Sequence, residues 1–459
     1  MSELSDLPVV VIGAGPAGLA AAAHLRGRGM DFVVLEAGDA AGAAVREWGH
    51  VRLFSAWSEL IDPAAEKVLA DAGWTPPDPK RYPTGADWVA GYLQPLADAL
   101  GGSVRFNTTV TAVAKQSRDR LVSSGRDEAP LTVHVTTPLG AEHLTARAVI
   151  DASGTWSGPN PLGGDGVPAI GEHEAADRIS YRIPDLGNVG ELDRYAGKHV
   201  VIAGTGASAK GALIGLTALA RTAPGTRVTW LVRRASVGEA FAGSGQDELP
   251  ARGELGQQAQ AAVESGPVTT MNGFRTSRVS RQDDDRLTIE SFDGQIVTDV
   301  DEVVVLTGFR PDLQMLSEMR LDLDPVLQAP RELAPLIDPN EHSCGTVYPH
   351  GAKEVAQPES GFYLVGMKSY GRATSFLALT GFEQTRSVVA AIAGDHEAAE
   401  RVELTLPDTG VCGGAGLFDD EAAEGGSCCA APAAPELIQL GSPTTSRAKE
   451  AGQWNHRTS

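Results

Sequence analysis

Cysteine is scarce: the chain has four in 459 residues, and none of them forms a Cys-x-x-Cys pair. That is too few for a disulfide-built scaffold, and it removes the usual dithiol motif of redox proteins. Aromatic residues make up only 5%, and no apolar run approaches membrane-spanning length, which is roughly 18–20 residues. Positive charge is short as well. Lys and Arg number 38 against 59 Asp and Glu, for a formal net charge of −21. Such a surplus repels a phosphate backbone or an anionic lipid surface, so neither nucleic acid nor a membrane is an expected partner. The start, Met1-Ser2-Glu3-Leu4-Ser5-Asp6, carries no basic residue and no small-residue cleavage site, so it does not read as a secretory signal. A cytoplasmic, reduced protein is expected.

What is present suits a soluble chain of two to three domains with a large core: 42% hydrophobic and 21% charged residues. Glycine is abundant, at 53 residues, but has no three-residue period, which excludes a collagen-like fibre. Two glycine clusters stand out. Leu7–Ile12 is a short apolar run of the kind a strand buried on both faces requires. It leads into Gly13-Ala14-Gly15-Pro16-Ala17-Gly18 and then an alanine-rich helix former. The first glycine permits the turn, the second lets a pyrophosphate approach the backbone, and the third lets helix and strand pack closely. The phosphates would rest on free N–H groups at the helix N-terminus. A second strand, Phe32–Leu35, ends in Glu36, whose carboxylate suits ribose hydroxyls.

The pattern recurs at His199–Ala203, Gly204-Thr205-Gly206-Ala207-Ser208-Ala209 and Val228–Val232. Here Ala209 replaces the third glycine, and the following strand ends in Arg233-Arg234 instead of an acid. An acid would repel a 2′-phosphate, whereas adjacent guanidiniums grip one. The first turn therefore suits an adenosine with a free ribose, and the second suits NADPH. The candidate NADPH residues are Gly204, Gly206, Ser208, Ala209, Arg233 and Arg234.

With these motifs, over most of residues 7–395, the chain resembles the two-dinucleotide-binding-domain flavoproteins, which include flavin-containing monooxygenases and thioredoxin reductases. Ala148–Trp156 and Val303–Asp312 are similar to the family's two crossing segments between the FAD and NADPH domains. Gly361–Gly366, followed by a helix over 375–394, is similar to its late FAD segment, although Met367 stands where the family has an Asp. The resemblance implies FAD held by Gly13, Gly15, Pro16, Ala17, Gly18, Glu36, Val110 and Gly366. The implied fold is α/β, with two Rossmann-like domains, the NADPH domain inserted into the FAD domain, and a flexible C-terminal tail. The expected boundaries are 1–160 and 325–400 for the FAD domain, 161–324 for the NADPH domain with its linkers, and 401–459 for the tail.

The electron acceptor is less direct. A disulfide reductase needs paired thiols, and Cys344 stands alone in His342-Ser343-Cys344-Gly345. A monooxygenase would oxidise a small molecule with O2 through a flavin hydroperoxide, and the segments Trp48–Leu53 and Arg81–Gly85 are closest to that branch. Its fingerprint before the second turn is incomplete, because Ala175 stands where a His belongs in Ile170–Arg178. Arg46, Trp48, His50, Arg52 and Trp57 are candidates for a pocket wall, or form a loop anchored by its two tryptophans. The tail carries the other three thiols, Cys412, Cys428 and Cys429. The adjacent pair is similar to the C-terminal pairs of mercuric reductase and the larger thioredoxin reductases, and three thiolates could hold trivalent arsenic. This fits a resemblance to bacterial monooxygenase-type flavoproteins associated with arsenic resistance. Against it, Asp419, Asp420, Glu421 and Glu424 would raise the thiol pKa values and leave the thiols inert. Apart from Cys428 and Cys429, no catalytic side chain stands out. The expected function is an NADPH-dependent FAD oxidoreductase of the monooxygenase type; a reductase of a disulfide or thiol-bound metalloid, or a non-catalytic flavin redox sensor, are the alternatives. A homodimer is left open.

Overall fold

The computed structural model describes residues 2–241, 250–339, 350–373 and 376–404. Cys344, Cys412, Cys428 and Cys429 lie outside the described residues. The chain enters a parallel sheet through β1 (Val9–Ile12), α1 (Pro16–Gly27) and β2 (Phe32–Leu35). After a helical excursion come β3 (Val104–Arg105), the antiparallel meander β4 (Thr109–Lys115), β5 (Leu131–Thr137) and β6 (Gly140–Ala146), and then β7 (Ala148–Asp151). A second parallel sheet is built from β8 (Ile179–Ser180), β9 (His199–Ala203), α2 (Ala207–Thr222), β10 (Arg227–Val232), α3 (Pro250–Ser265) and β11 (Val268–Asn272). The antiparallel trio β12 (Thr276–Arg281), β13 (Leu287–Ser291) and β14 (Ile296–Val300) covers it, and β15 (Glu302–Val305) completes it. The chain then returns to the first sheet with β16 (Phe362–Leu364) and α4 (Ala378–Ile392).

Strand order is β16-β7-β1-β2-β3 in one sheet and β11-β10-β9-β15-β8 in the other. Both sheets are sandwiched in the same way, and strand alternation explains it. In β1, Val9 and Val11 face the helices, whereas Val10 and Ile12 face the meander with Val33, Leu35, Val133 and Val135. In β9, Val200 and Ile202 pack with Leu213 and Leu216 of α2, while Val201 and Ala203 pack against Ile289 and Val297 of the trio. With both faces covered, the central strands read as unbroken apolar runs.

The helical stretch after Arg81–Gly85 is not regular: it runs as Gly85–Trp88, a π turn at Val89–Leu93, and Gln94–Leu100. Pro95 has no N–H to give the carbonyl of Gly91, and the indole N–H of Trp74 fills that acceptor at 2.9 Å. At the return crossover the segment 313–323, within the 161–324 span expected for the NADPH domain with its linkers, packs its Leu316 and Met319 against Val113 and Val133 of the meander.

A buried ion pair fastens that segment. Arg126 Nε lies 2.8 Å from Glu359 Oε1, with both side chains 2% exposed. The same guanidinium donates to the carbonyls of Asp119 and Glu318 at 2.7 and 2.9 Å. Arg126→Met strands the Glu359 charge, which typically costs about 3–5 kcal/mol. A clear fall in the urea unfolding midpoint is expected, with most of it recovered in Arg126→Met/Glu359→Leu. An unchanged single-variant midpoint would refute this account.

Candidate functional site

The first cradle begins where β1 ends. Gly13 has φ +97°, and a β-carbon on it would sit 2.9 Å from the carbonyl oxygen of Ala152. A β-carbon on Gly18 would lie 1.9 Å from the Gly13 oxygen, so only glycine lets α1 dock this closely. Gly15 caps α1 without a side chain, and nothing lies within 4 Å of where its β-carbon would be. Pro16 opens the helix and has no N–H to leave unpaired. The cap is therefore open space lined by the positive end of a helix, which fits a pyrophosphate.

Glu36, 9% exposed, closes the far side. Its Oε2 accepts from Ala14 N at 2.7 Å and its Oε1 from Gly38 N at 2.8 Å. These bonds fix the carboxylate and leave each oxygen a second acceptor site for ribose hydroxyls. The amides of Asn107 and Thr108 donate to the carbonyls of Gly38 and Glu36, both at 2.8 Å, which brings the start of β4, with half-buried Val110, beside the acid. Gly366 arrives from the other end of the chain. Its φ is +67°, its N–H donates to Gln384 Oε1 at 2.7 Å, and its β-carbon would fall 3.0 Å from that of Ala17. Of the residues expected from sequence at the FAD site, Glu36 thus meets the α1 turn at Ala14 and Gly366 meets it at Ala17, while Val110 follows on β4.

The second cradle repeats the device. Gly204 has φ +120°, and a β-carbon there would come 2.2 Å from the Leu306 oxygen. The Trp230 indole donates to the Gly204 carbonyl at 2.7 Å. Gly206 caps α2 without a side chain, again with open space beside it. Ser208 is half-buried, and the fully buried Ala209 shows that a methyl fits where the first cradle has a glycine.

At the end of β10 the sequence reading saw two arginines, and the structure adds a third. Phe274 N donates to the Val232 oxygen at 3.0 Å and Gly273 N to the Arg234 oxygen at 2.8 Å, so Arg275 lies beside Arg233 and Arg234. Arg233 reaches solvent, yet its pKa falls below the ordinary guanidinium value. The protein packed around it contributes most, followed by Arg275 and then Arg234. Three cations crowded together at the end of this strand fit a 2′-phosphate.

The crossing segments lie back to back. Pro159 bridges Phe309, Asn160 Nδ2 donates to the Thr307 oxygen at 3.0 Å, and Arg310 Nε donates to Asn160 Oδ1 at 2.8 Å. Beside them Trp156 stacks on Phe309, and Arg182 lies over Trp156 while pairing with Glu47. Of the candidate wall residues, Trp57 is core at 1% exposure and Trp48 packs on Gly85, while Arg46, His50 and Arg52 are exposed. The incomplete fingerprint stretch has a structural anchor. Glu172 accepts from the amides of Leu162 and Ala169 and from the Tyr181 hydroxyl.

Comparison with known proteins supports the same reading of the fold. Residues 10–344 match the pyridine nucleotide-disulphide oxidoreductase family. The chain is 28% identical over 201 residues to an indole-3-pyruvate monooxygenase of rice, a match that covers 43% of this chain and 42% of that enzyme. Bacillithiol disulfide reductase of Bacillus cereus superposes with a TM-score of 0.62 at 19% identity, over 84% of this chain and 99% of that one. The cadaverine monooxygenase DfoA of Erwinia amylovora, solved with FAD bound, gives 0.59 at 13% identity, over 87% and 98%. Among the described residues no helix is long and apolar enough to cross a membrane. With the family matched over well more than half of its length and two complete cradles in place, the chain belongs to the pyridine nucleotide-disulphide oxidoreductases as a two-domain flavoprotein with FAD and NADPH as its cofactors.

Proposed function

We propose that the chain is an NADPH-dependent monooxygenase that oxidises a small molecule with O2. The observation that carries the cofactor half of this reading is the contrast between the two cradles: a buried acid closes one, and three arginines stand at the end of the other. FAD, once bound, supplies the hydride acceptance and the oxygen chemistry. The overall balance is substrate, NADPH, a proton and O2 giving oxidised substrate, NADP+ and water.

The protein's part is holding and orienting. The free N–H groups of α1 and α2 hold the two pyrophosphates, and Glu36 accepts from the adenosine ribose. Arg233, Arg234 and Arg275 hold the 2′-phosphate, and the locked crossing at Asn160 and Arg310 keeps the two cradles in register. O2 as acceptor draws support from the absence of any Cys-x-x-Cys in the sequence and from the rice relative being a monooxygenase. The second reading, a reductase of a disulfide or thiol-bound metalloid, rests on the adjacent Cys428 and Cys429.

Charge-assisted hydrogen bonds are worth about 1.5–3 kcal/mol each. Arg233→Ala/Arg234→Ala should therefore raise the KM for NADPH at least about 10-fold if only one such bond is lost, and more than roughly 100-fold if each arginine supplies one, and leave that for NADH nearly unchanged. Equal increases for both coenzymes would refute the 2′-phosphate assignment. For the acceptor, FAD-loaded protein in air-saturated buffer should take up one O2 per NADPH oxidised, and Cys428→Ser/Cys429→Ser should not slow it. NADPH oxidation that needs an added disulfide or trivalent arsenic, and stops in that variant, would establish the reductase instead.

A further inference from the structure

The first sheet ends in an ionic group that the cradle as described does not use. Asp151, the last residue of β7, is fully buried, and Lys368, in the same short turn as Gly366, places Nζ 2.7 Å from its Oδ2. The two side chains are 0% and 1% exposed. The Ser153 hydroxyl joins them: it donates to Asp151 Oδ1 at 2.7 Å and accepts from Lys368 Nζ at 3.0 Å. The Ser153 amide donates to the same Oδ1 at 3.1 Å. Unlike the pair behind it, Ser153 is exposed.

This arrangement gives the hydroxyl a fixed polarity. A serine hydroxyl has one proton and two lone pairs. Asp151 takes the proton, and Lys368 takes one lone pair. Toward the open side Ser153 can only accept. A buried ion pair is costly to desolvate and is a weak source of stability, so a role in orienting that one exposed hydroxyl is a reason to keep it.

The sheet order shows what would face it. Glu36 lies past β2 on one side of β1, and Ser153 lies past β7 on the other. A dinucleotide with its adenosine ribose at Glu36 and its pyrophosphate at the α1 N-terminus must carry its other half over β7 and β16. Ser153 stands at the start of that path, because a β-carbon on Gly13 would come 3.2 Å from its Cα. In FAD the part that directly follows the pyrophosphate is the ribityl chain, a row of hydroxyl donors. At the end of β16 the residue after Gly366 is Met367, a poor acceptor that is 36% exposed.

We propose that Ser153, held with its acceptor side outward by Asp151 and Lys368, receives a hydrogen bond from a ribityl hydroxyl of FAD. The proposal rests on the reading of the first cradle as the FAD site. Ser153 is a positioning residue, and Lys368 and Asp151 act through it.

The test is titration of the full-length apoprotein with FAD and, separately, with ADP, which carries the adenosine and diphosphate but no ribityl chain. In Ser153→Ala the Kd for FAD should rise about 5- to 10-fold, the usual worth of one net hydrogen bond, while the Kd for ADP stays unchanged. Ser153→Thr, which keeps the hydroxyl, should bind FAD as the parent does. Asp151→Leu/Lys368→Met, which removes both charges and the acceptor that takes the Ser153 proton, should lose FAD affinity as Ser153→Ala does and keep its affinity for ADP. Unchanged FAD affinity in Ser153→Ala overturns the proposal, as does an equal loss for FAD and ADP. A parent chain that binds ADP but not FAD overturns the FAD reading of the cradle along with it.

Discussion

Backbone meets backbone at the start of both dinucleotide sites, and the rest of the architecture is arranged around that contact. Gly18 comes so close to the Gly13 carbonyl that a β-carbon would fall 1.9 Å from it, and Gly13 presses in turn on Ala152 and Ser153 at the end of β7. In the second domain Gly204 presses on Leu306 and Thr307 in the same manner. Side chains are excluded at these points, so the helix N-termini come to the edge of their sheets with their N–H groups unobstructed. The residues pressed upon lie within the two crossing segments, so each cradle is in direct backbone contact with the crossover.

Charge is distributed in the same economical way. The chain as a whole carries −21, yet at the points where an anion is to be held the acids are replaced. Arg233, Arg234 and Arg275 crowd at the end of β10, and the α1 and α2 caps carry no side chain at all. A general acidic surface discourages polyanions, whereas local clusters of this kind suit small phosphates. Two buried ion pairs fasten the first domain. Arg126 sits on Glu359 and Lys368 on Asp151, and each pair ties a late segment to an early one. Such pairs carry little net stability against an apolar alternative, but breaking one is costly, which makes them good fasteners between distant parts of the chain.

The exposed stretches of the crossover are fastened more lightly. Arg310 reaches Asn160 and the Gly166 carbonyl, and Arg182 spans from Glu47 to the ring of Trp156. These contacts are polar and partly exposed, and they join segments on the two sides of the crossover.

The amino-acid sequence by itself determined the two strand–glycine turn–helix units, the acid ending β2 and the arginines ending β10. Each of these is a local pattern: a strand covered on both faces must be continuously apolar, and a turn that meets another backbone must be glycine. Strands β2, β9 and β10 were legible almost to the residue for that reason, and β1 to within two residues. Only the tertiary structure decided the rest. Arg275 joins Arg233 through hydrogen bonds between two loops, and nothing in its own neighbourhood of Gly273 and Phe274 signals a phosphate. Lys368 reads as a surface lysine until β16 comes to lie beside β7 and buries it on Asp151. The Gly91 carbonyl in the π turn at Val89–Leu93 finds its donor in Trp74, and the place of 313–323 depends on a meander formed much earlier in the chain. In each case the deciding partner is remote in sequence, so the physics that fixes the residue is absent from its local pattern.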